Sequence, residues 1–392
     1  MSQVLFWTTA SLIVYAYIGF PLLLFLRALR ARPVARENIT PTVSMIIVAY
    51  NEAKSIGEKL ENTLALDYPS DQLEIVVASD GSDDGTDAIV SGYQDRGVRF
   101  LACPRRGKIA ALNDAVARAS GDVLVFSDAN SMFDKDAIRM LVRAFADAEV
   151  GAVAGNQCYL ADGSGGAASW GERMYWNYDR TLKTMQNRAG SVIAATGAIH
   201  AIRRSLFQKV PAGVCDDFLI STTAIRNGQR LVFEPQAIAR EPVATTDRAE
   251  FRRKTRIAAR GLRTLWHIRE LLNPWRHGFY AVQLLSHKLL RWGVCWLLIL
   301  LLGLSILLWQ DGLVYQIALA AQTSVYAAAL CGLALRRSGL ARAKAVKALA
   351  LPLYFCLANS AVFCAWLQLM QGRRFDVWNS QRPLPRPAVP SN

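Results

Sequence analysis

Three short polar segments follow directly on apolar runs. They are Tyr50-Asn51-Glu52 after SMIIVA, Asp80-Gly81-Ser82-Asp83-Asp84-Gly85-Thr86 after EIVVAS, and Asp128-Ala129-Asn130 after DVLVFS. Carboxylate and amide oxygens are hard donors, so Asp128 with Asn130 suits a divalent cation, Mg²⁺ or Mn²⁺, that in turn holds phosphate groups. Lys108, in Arg105-Arg106-Gly107-Lys108, adds a point charge at the start of a helical pattern. Turn and cap chemistry explains Asp or Asn at any one such place. Three in succession, each closing a strand, point to a phosphate-bearing ligand.

The elements that must position these groups read as one α/β unit over residues 41–245. Strands of continuous apolar character alternate with helical patterns, which predicts a mostly parallel sheet with helices on both faces. In such sheets ligands bind beyond the carboxyl ends of strands, where the polar segments fall. Ser55 with Glu58 predicts a capping box for the first helix, and Asp134 a cap for DKDAIRMLVRAF. The chain has no G-x-x-x-x-G-K-[ST] and no G-x-G-x-x-G after a strand, so nucleotide kinases and dinucleotide dehydrogenases are disfavoured. His200 is expected to be packed, and His267, His277 and His287 lack metal-ligand spacing.

The order SMIIVAYNE, VVASDGSDDGT, RRGKIAALN, FSDAN, ATGAIHAIRR and CDDF resembles the inverting family 2 glycosyltransferases of GT-A fold. The resemblance implies that Glu52, Asp80 and Asp83 border the nucleotide site and that Lys108 approaches the diphosphate. It places Asp128 at the first acid of the D-x-D metal motif, with Asn130 standing where the second Asp is usual. It makes Asp217, next to Asp216, the catalytic base. Processive members such as cellulose, chitin and hyaluronan synthases carry Q-x-x-R-W after that base. Here the stretch is Arg253-Lys254-Thr255-Arg256-Ile257, so Arg256 can serve the diphosphate while Ile257 cannot replace the indole on which an acceptor sugar stacks. The stretch Arg248–Arg263 also suits a basic helix on anionic headgroups.

Length and composition extend this reading. The chain has 392 residues, 52% apolar and 19% charged, with a net charge of +14. That is too apolar for a disordered chain. Val4–Leu26 has no charged side chain and is long enough to span a bilayer, and the absence of a basic residue before it predicts a retained anchor rather than a cleaved signal. Trp292–Trp309, Leu313–Leu335 and about Ala348–Met370 supply three further spans, while SHKLLRW at Ser286–Trp292 resembles membrane-embedded bacterial exopolysaccharide enzymes. The expected units are therefore a 1–40 anchor with basic flank, the 41–245 catalytic domain, 246–291 interfacial helices covering the site, 292–371 membrane helices, and a 372–392 Pro/Arg tail. Arg27, Arg30, Arg32 and Arg36 place the catalytic domain on the cytosolic side of a bacterial inner membrane. The arginines of the tail run against strict alternation.

Basic clusters at span edges point to membrane lipids and not to nucleic acid. Seven scattered cysteines without a C-x-x-C pair argue against zinc clusters and disulfides. The expected activity is transfer of a sugar from a nucleotide-sugar, UDP-linked, to a glycan or polyprenyl-linked acceptor. Two alternatives stay open: a processive synthase coupled to secretion, and a non-catalytic nucleotide-binding scaffold or transporter subunit.

Overall fold

The computed structural model describes residues 1–159, 167–242, 247–337 and 344–373. Its centre is one eight-stranded sheet in the order β3-β2-β1-β4-β7-β6-β8-β5. The strands are β1 (Val43–Ala49), β2 (Leu73–Asp80), β3 (Val98–Cys103), β4 (Val123–Asp128), β5 (Met132–Phe133), β6 (Val150–Tyr159), β7 (His200–Arg203) and β8 (Arg230–Glu241). β1 pairs parallel with β2 and β4, β2 with β3, and β6 with β8. β7 runs antiparallel to β4 and β6, and β5 antiparallel to β8. The sheet is thus mixed and mostly parallel, and β1, β2 and β4 bring their carboxyl ends to one rim.

Every residue of β1 is buried, as a strand covered on both faces requires. Alternate side chains go to opposite faces. Ile46 and Val48 join Val76, Leu112, Phe126 and Phe218 on one side; Met45 and Ile47 join Ile56, Leu60, Val77 and Leu141 on the other. Truncating Ile47 to alanine would therefore cost about 2–5 kcal/mol.

Two helix starts depart from the capping pattern. Ser55 precedes the helix Ile56–Leu64 but makes no cap; its hydroxyl donates to Glu52 Oε2 at 2.7 Å. Asp134 accepts two hydrogen bonds from the Arg240 guanidinium, each 2.7 Å, and Asp136 takes the cap position. The guanidinium engages both Asp134 oxygens where a cap would engage one, so the long-range partner wins.

Among the described residues, four helices are long and apolar enough to cross a membrane: Ser2–Ala28, Pro274–Leu307, Leu313–Leu335 and Ala348–Met370. The second begins at Pro274, earlier than Trp292, because Tyr280 and Leu284 pack into the sheet's own core. Gly278, at φ 54°, bends its first turns. The first and second of these helices each contain a π-helical stretch, Tyr15–Gly19 and Leu284–Leu290. All seven cysteines are unpaired. Residues 338–343, between the third and fourth of these helices, and the tail from 374 lie outside the described residues.

Candidate active site

The rim is organised first by backbone geometry. Asn51 is the one non-glycine with positive φ (53°) among the described residues. Its side chain clasps the next strand end: Nδ2 donates to Asp83 Oδ1 at 2.7 Å, and Oδ1 accepts from the Asp83 amide at 3.0 Å. Glu52 is 5% exposed and its amide donates to Thr86 Oγ1 at 2.9 Å. Glu52 and Asp83 thus tie the β1 and β2 ends together.

Asp80 is fully buried and its carboxylate is engaged on both oxygens. Oδ1 accepts the backbone N–H groups of Arg106 (2.8 Å) and Gly107 (2.9 Å), while Oδ2 pairs with Arg105. Arg105 in turn lies over the Tyr50 ring, 3.3 Å from its centroid. Gly81, at φ 67°, permits this approach; a Cβ there would fall 2.8 Å from the Arg105 nitrogen. Asp80 therefore fixes the loop that launches Lys108.

Lys108 opens the helix Lys108–Arg118 and bridges two carboxylates, Asp128 Oδ1 at 2.8 Å and Asp216 Oδ2 at 3.1 Å. Burial alone would lower its pKa; Asp128 and Asp216 outweigh it and raise it, so the ammonium stays charged. Burial likewise opposes ionisation of Asp216, and Lys108 with Arg260 overrides it, holding its carboxyl below the usual range. Asp216 was foreseen only as a neighbour of the base. The structure makes it the second arm of the Lys108 bridge.

Asp217 sits beside it, half-buried at the start of the helix Asp216–Arg226. Oδ1 accepts from the Phe218 amide at 2.7 Å and from the Cys215 thiol at 2.9 Å. Burial, then Asp217 and Asp216, push the Cys215 thiol well above its ordinary value, so it remains a donor. No hydrogen bond engages Asp217 Oδ2 among the described residues. His200 lies on β7, stacked on Phe126 with centroids 4.8 Å apart, and burial keeps it neutral despite Asp217 and Asp216.

The helix Asp247–His267 supplies the arginines. Arg253 pairs with Glu250 at 2.8 and 2.9 Å and reaches the Tyr159 hydroxyl at 3.3 Å. Arg256 has no hydrogen-bond or ion-pair partner among the described residues. Burial and Arg260 lower its pKa, while Asp128 pulls it back up, which puts this guanidinium within electrostatic reach of Asp128. Ile257 is 45% exposed. The two arginines are thus placed differently: Arg256 is unpaired and toward Asp128, Arg253 is held by Glu250.

Beneath the Asp128–Ser131 loop is a layer that the sequence did not announce. Lys59 is fully buried; its ammonium donates to the Ser131 carbonyl at 2.5 Å and lies 4.1 Å from the Phe133 ring centroid. Burial pushes its pKa down to about 7 against the pull of Asp128 and Glu241. Glu241 accepts from Ser131 Oγ and from Gln157 Nε2, the latter at 2.6 Å. Burial, reinforced by Asp128, raises its pKa. Lys59 reads in sequence as one position of an amphipathic helix, and only the fold shows it turned inward.

A divalent cation fits the donors present. Asp128 is 35% exposed, and its Oδ2, without a partner among the described residues, borders Gly197, where a Cβ would lie 3.1 Å away. The Asn130 side chain makes no hydrogen bond among the described residues. One carboxylate and one amide suit Mg²⁺ or Mn²⁺, which completes its shell with substrate phosphates and water. Among the described residues no three His, Cys, Asp or Glu side chains cluster as a cage.

The comparisons with known proteins bear on this geometry. The family profile described as glycosyl transferase family 2 matches residues 44–211. A Bacillus subtilis protein, probable glycosyltransferase YdaM, is 29% identical over 245 residues, covering 58% of this chain and 57% of its own. Poly-beta-1,6-N-acetyl-D-glucosamine synthase of Staphylococcus aureus is 25% identical over 303 residues, 74% of this chain and 72% of that one. Among solved structures, the mannosyltransferase PcManGT of Pyrobaculum calidifontis, in complex with GDP-Man and Mn²⁺, has a TM-score of 0.69 at 22% identity, covering 94% of this chain and 100% of that chain. The chain thus spans little more than half of the Bacillus protein and the whole length of the archaeal fold.

Proposed function

We propose, from the premise that this chain is a family 2 glycosyltransferase of GT-A fold, that it moves a sugar from a nucleotide diphosphate donor, UDP-linked, to a polysaccharide or lipid-linked acceptor, inverting the anomeric centre. The observation that carries this reading is the Lys108 bridge between Asp128 and Asp216, set beside the open oxygen of Asp217 and the unpaired Arg256.

The chemistry is one displacement. Asp217 Oδ2 takes the proton of the acceptor hydroxyl as that oxygen attacks the anomeric carbon. The bond to the donor diphosphate breaks, and the diphosphate leaves with the electron pair. Lys108 and Arg256 stabilise its growing charge. A divalent cation held by Asp128 and Asn130, when bound, adds Lewis-acid neutralisation of the same leaving group. Glu52, Asp80 and Asp83 hold the β1 and β2 ends that border the nucleotide, with Asp80 acting through the Arg105–Gly107 loop.

The four long apolar helices and the arginines after the first support a multi-pass protein with its catalytic domain on the cytosolic face of a bacterial inner membrane. A second reading, processive synthesis, is favoured by the packing of the last of these helices on the helix Asp247–His267, where Ala365 joins Ala258 and Ala259. The outward position of Ile257 favours one or few additions. Purified protein tested against UDP- and GDP-sugars with Mn²⁺, following nucleotide release, product length and product NMR, decides these points. A β-linked product from an α-linked donor supports the mechanism; retained configuration rejects it.

A further inference from the structure

The two π-helical stretches face each other at the level where the long helices meet the catalytic domain. The Tyr15 hydroxyl lies 2.9 Å from Ser286 Oγ, and the Phe20 and His287 rings lie 5.8 Å apart. A π-bulge widens the turn and re-aims side chains, and such bulges favour functional sites. Here it turns Lys288 toward the catalytic helix. Its ammonium lies 5.3 Å from the Phe218 ring centroid and 5.2 Å from that of Trp292, with no hydrogen bond or ion pair among the described residues. Phe218 directly follows Asp217.

Trp292 is itself fixed. Its indole edge fills the space beside Gly261, where a Cβ would lie 2.4 Å from Cη2, and its carbonyl accepts from Trp366 Nε1 at 3.0 Å. Gly261 is one helical turn after Ile257, so the second long helix delivers an indole to the helix that lacks one at Ile257. Nearby, Asp179, the carboxylate whose charge acts most strongly on Lys288, is paired with Lys183 at 3.0 Å and makes no ion pair with Lys288. A cation without an ion pair among the described residues, in a helix apolar enough to cross a membrane, is costly unless it faces a polar ligand.

Resting on the reading above, we infer that Lys288, between Phe218 and Trp292, binds the phosphate or diphosphate of a lipid-linked acceptor that enters along the seam of the first and second long helices and presents its hydroxyl to Asp217. The aromatic walls suit the first carbons of the lipid chain, and the cation suits its anionic head. A single charge-assisted contact of this kind is worth about tenfold to hundredfold in affinity.

The test is equilibrium binding of farnesyl diphosphate, farnesol and inorganic diphosphate to full-length protein in detergent, with UDP and Mn²⁺ saturating the donor side. Wild type should bind farnesyl diphosphate and not farnesol, with inorganic diphosphate competing poorly. Lys288→Ala should weaken farnesyl diphosphate at least tenfold, Lys288→Arg should retain it within about threefold, and both should bind UDP as wild type does. Unchanged farnesyl diphosphate affinity in Lys288→Ala overturns the inference. So does displacement by inorganic diphosphate at equal concentration, which would mark a free-anion site. Loss in Arg256→Ala instead of Lys288→Ala also overturns it, by placing the probe at the donor side. Failure of wild type to bind UDP or any other nucleotide counts against the donor reading and leaves the Lys288 comparison intact.

Discussion

The ammonium of Lys108 lies 2.8 Å from Asp128 Oδ1, and this pair joins the two halves of the candidate site. Through Asp216 the same ammonium reaches the helix that carries Asp217; through its own loop it is tied to Asp80. Two carboxylates converging on one cation would repel each other without it. The bridge therefore sets the spacing between Asp128 and Asp217, the proposed donor and acceptor sides.

Arg256→Ala should weaken nucleotide diphosphate binding about tenfold to hundredfold, with Arg256→Lys recovering part of it, because a lysine restores charge without the fork. Arg253→Ala should lose less, since Glu250 already occupies that guanidinium. Nucleotide affinities by calorimetry check the order; equal losses would place both arginines on the diphosphate.

Asn130→Asp should lower the Mn²⁺ concentration needed for half-maximal activity, because a second carboxylate strengthens a hard-cation site. Metal titration of both proteins reads this directly. An unchanged midpoint would remove residue 130 from the cation site.

Lys59 gives a stability signature. Its folded pKa of about 7 lies below the ordinary 10.5, so above pH 7 the unfolded chain binds more protons and native stability rises with pH, the full charging cost being present below that point. Glu241 is raised and acts with the opposite sign, from the ordinary carboxylate range up to its folded value. Between pH 7 and 8.5, about where Lys59 dominates, wild type should gain up to about 2 kcal/mol. Lys59→Met should flatten this slope in thermal unfolding. An equal slope in the variant would show that Lys59 is not the group responsible.

Strands β1, β2 and β4 were legible, though not their order in the sheet, because each is a continuous apolar run leading into an acid or amide, and the same runs marked Asp80, Asp128 and Asn130. The four long apolar helices were legible by length alone. What remained hidden depends on contacts distant in sequence. Ser55 turned back to Glu52, Asp134 crossed to Arg240, Asp216 joined Lys108, and the second long helix began eighteen residues before Trp292, at Pro274, because Tyr280 and Leu284 belong to the sheet's core. Periodicity reports which face is apolar, not which partner a charged side chain will choose. The aromatic stripe Trp170, Tyr175, Trp176 and Tyr178 reads in sequence as packing or interfacial more readily than as a sugar platform; the side chains of the first three lie outside the described residues, and Tyr178 is exposed.

The central claim is that Asp217 is the proton acceptor of a preassembled site, and Asp217→Asn tests it most directly. The substitution removes basicity while keeping shape and the hydrogen bond from Phe218. Turnover of the full-length protein should fall by about 10² to 10⁴ with donor nucleotide affinity within about twofold of wild type. Near-normal turnover, at unchanged affinity, would contradict the account.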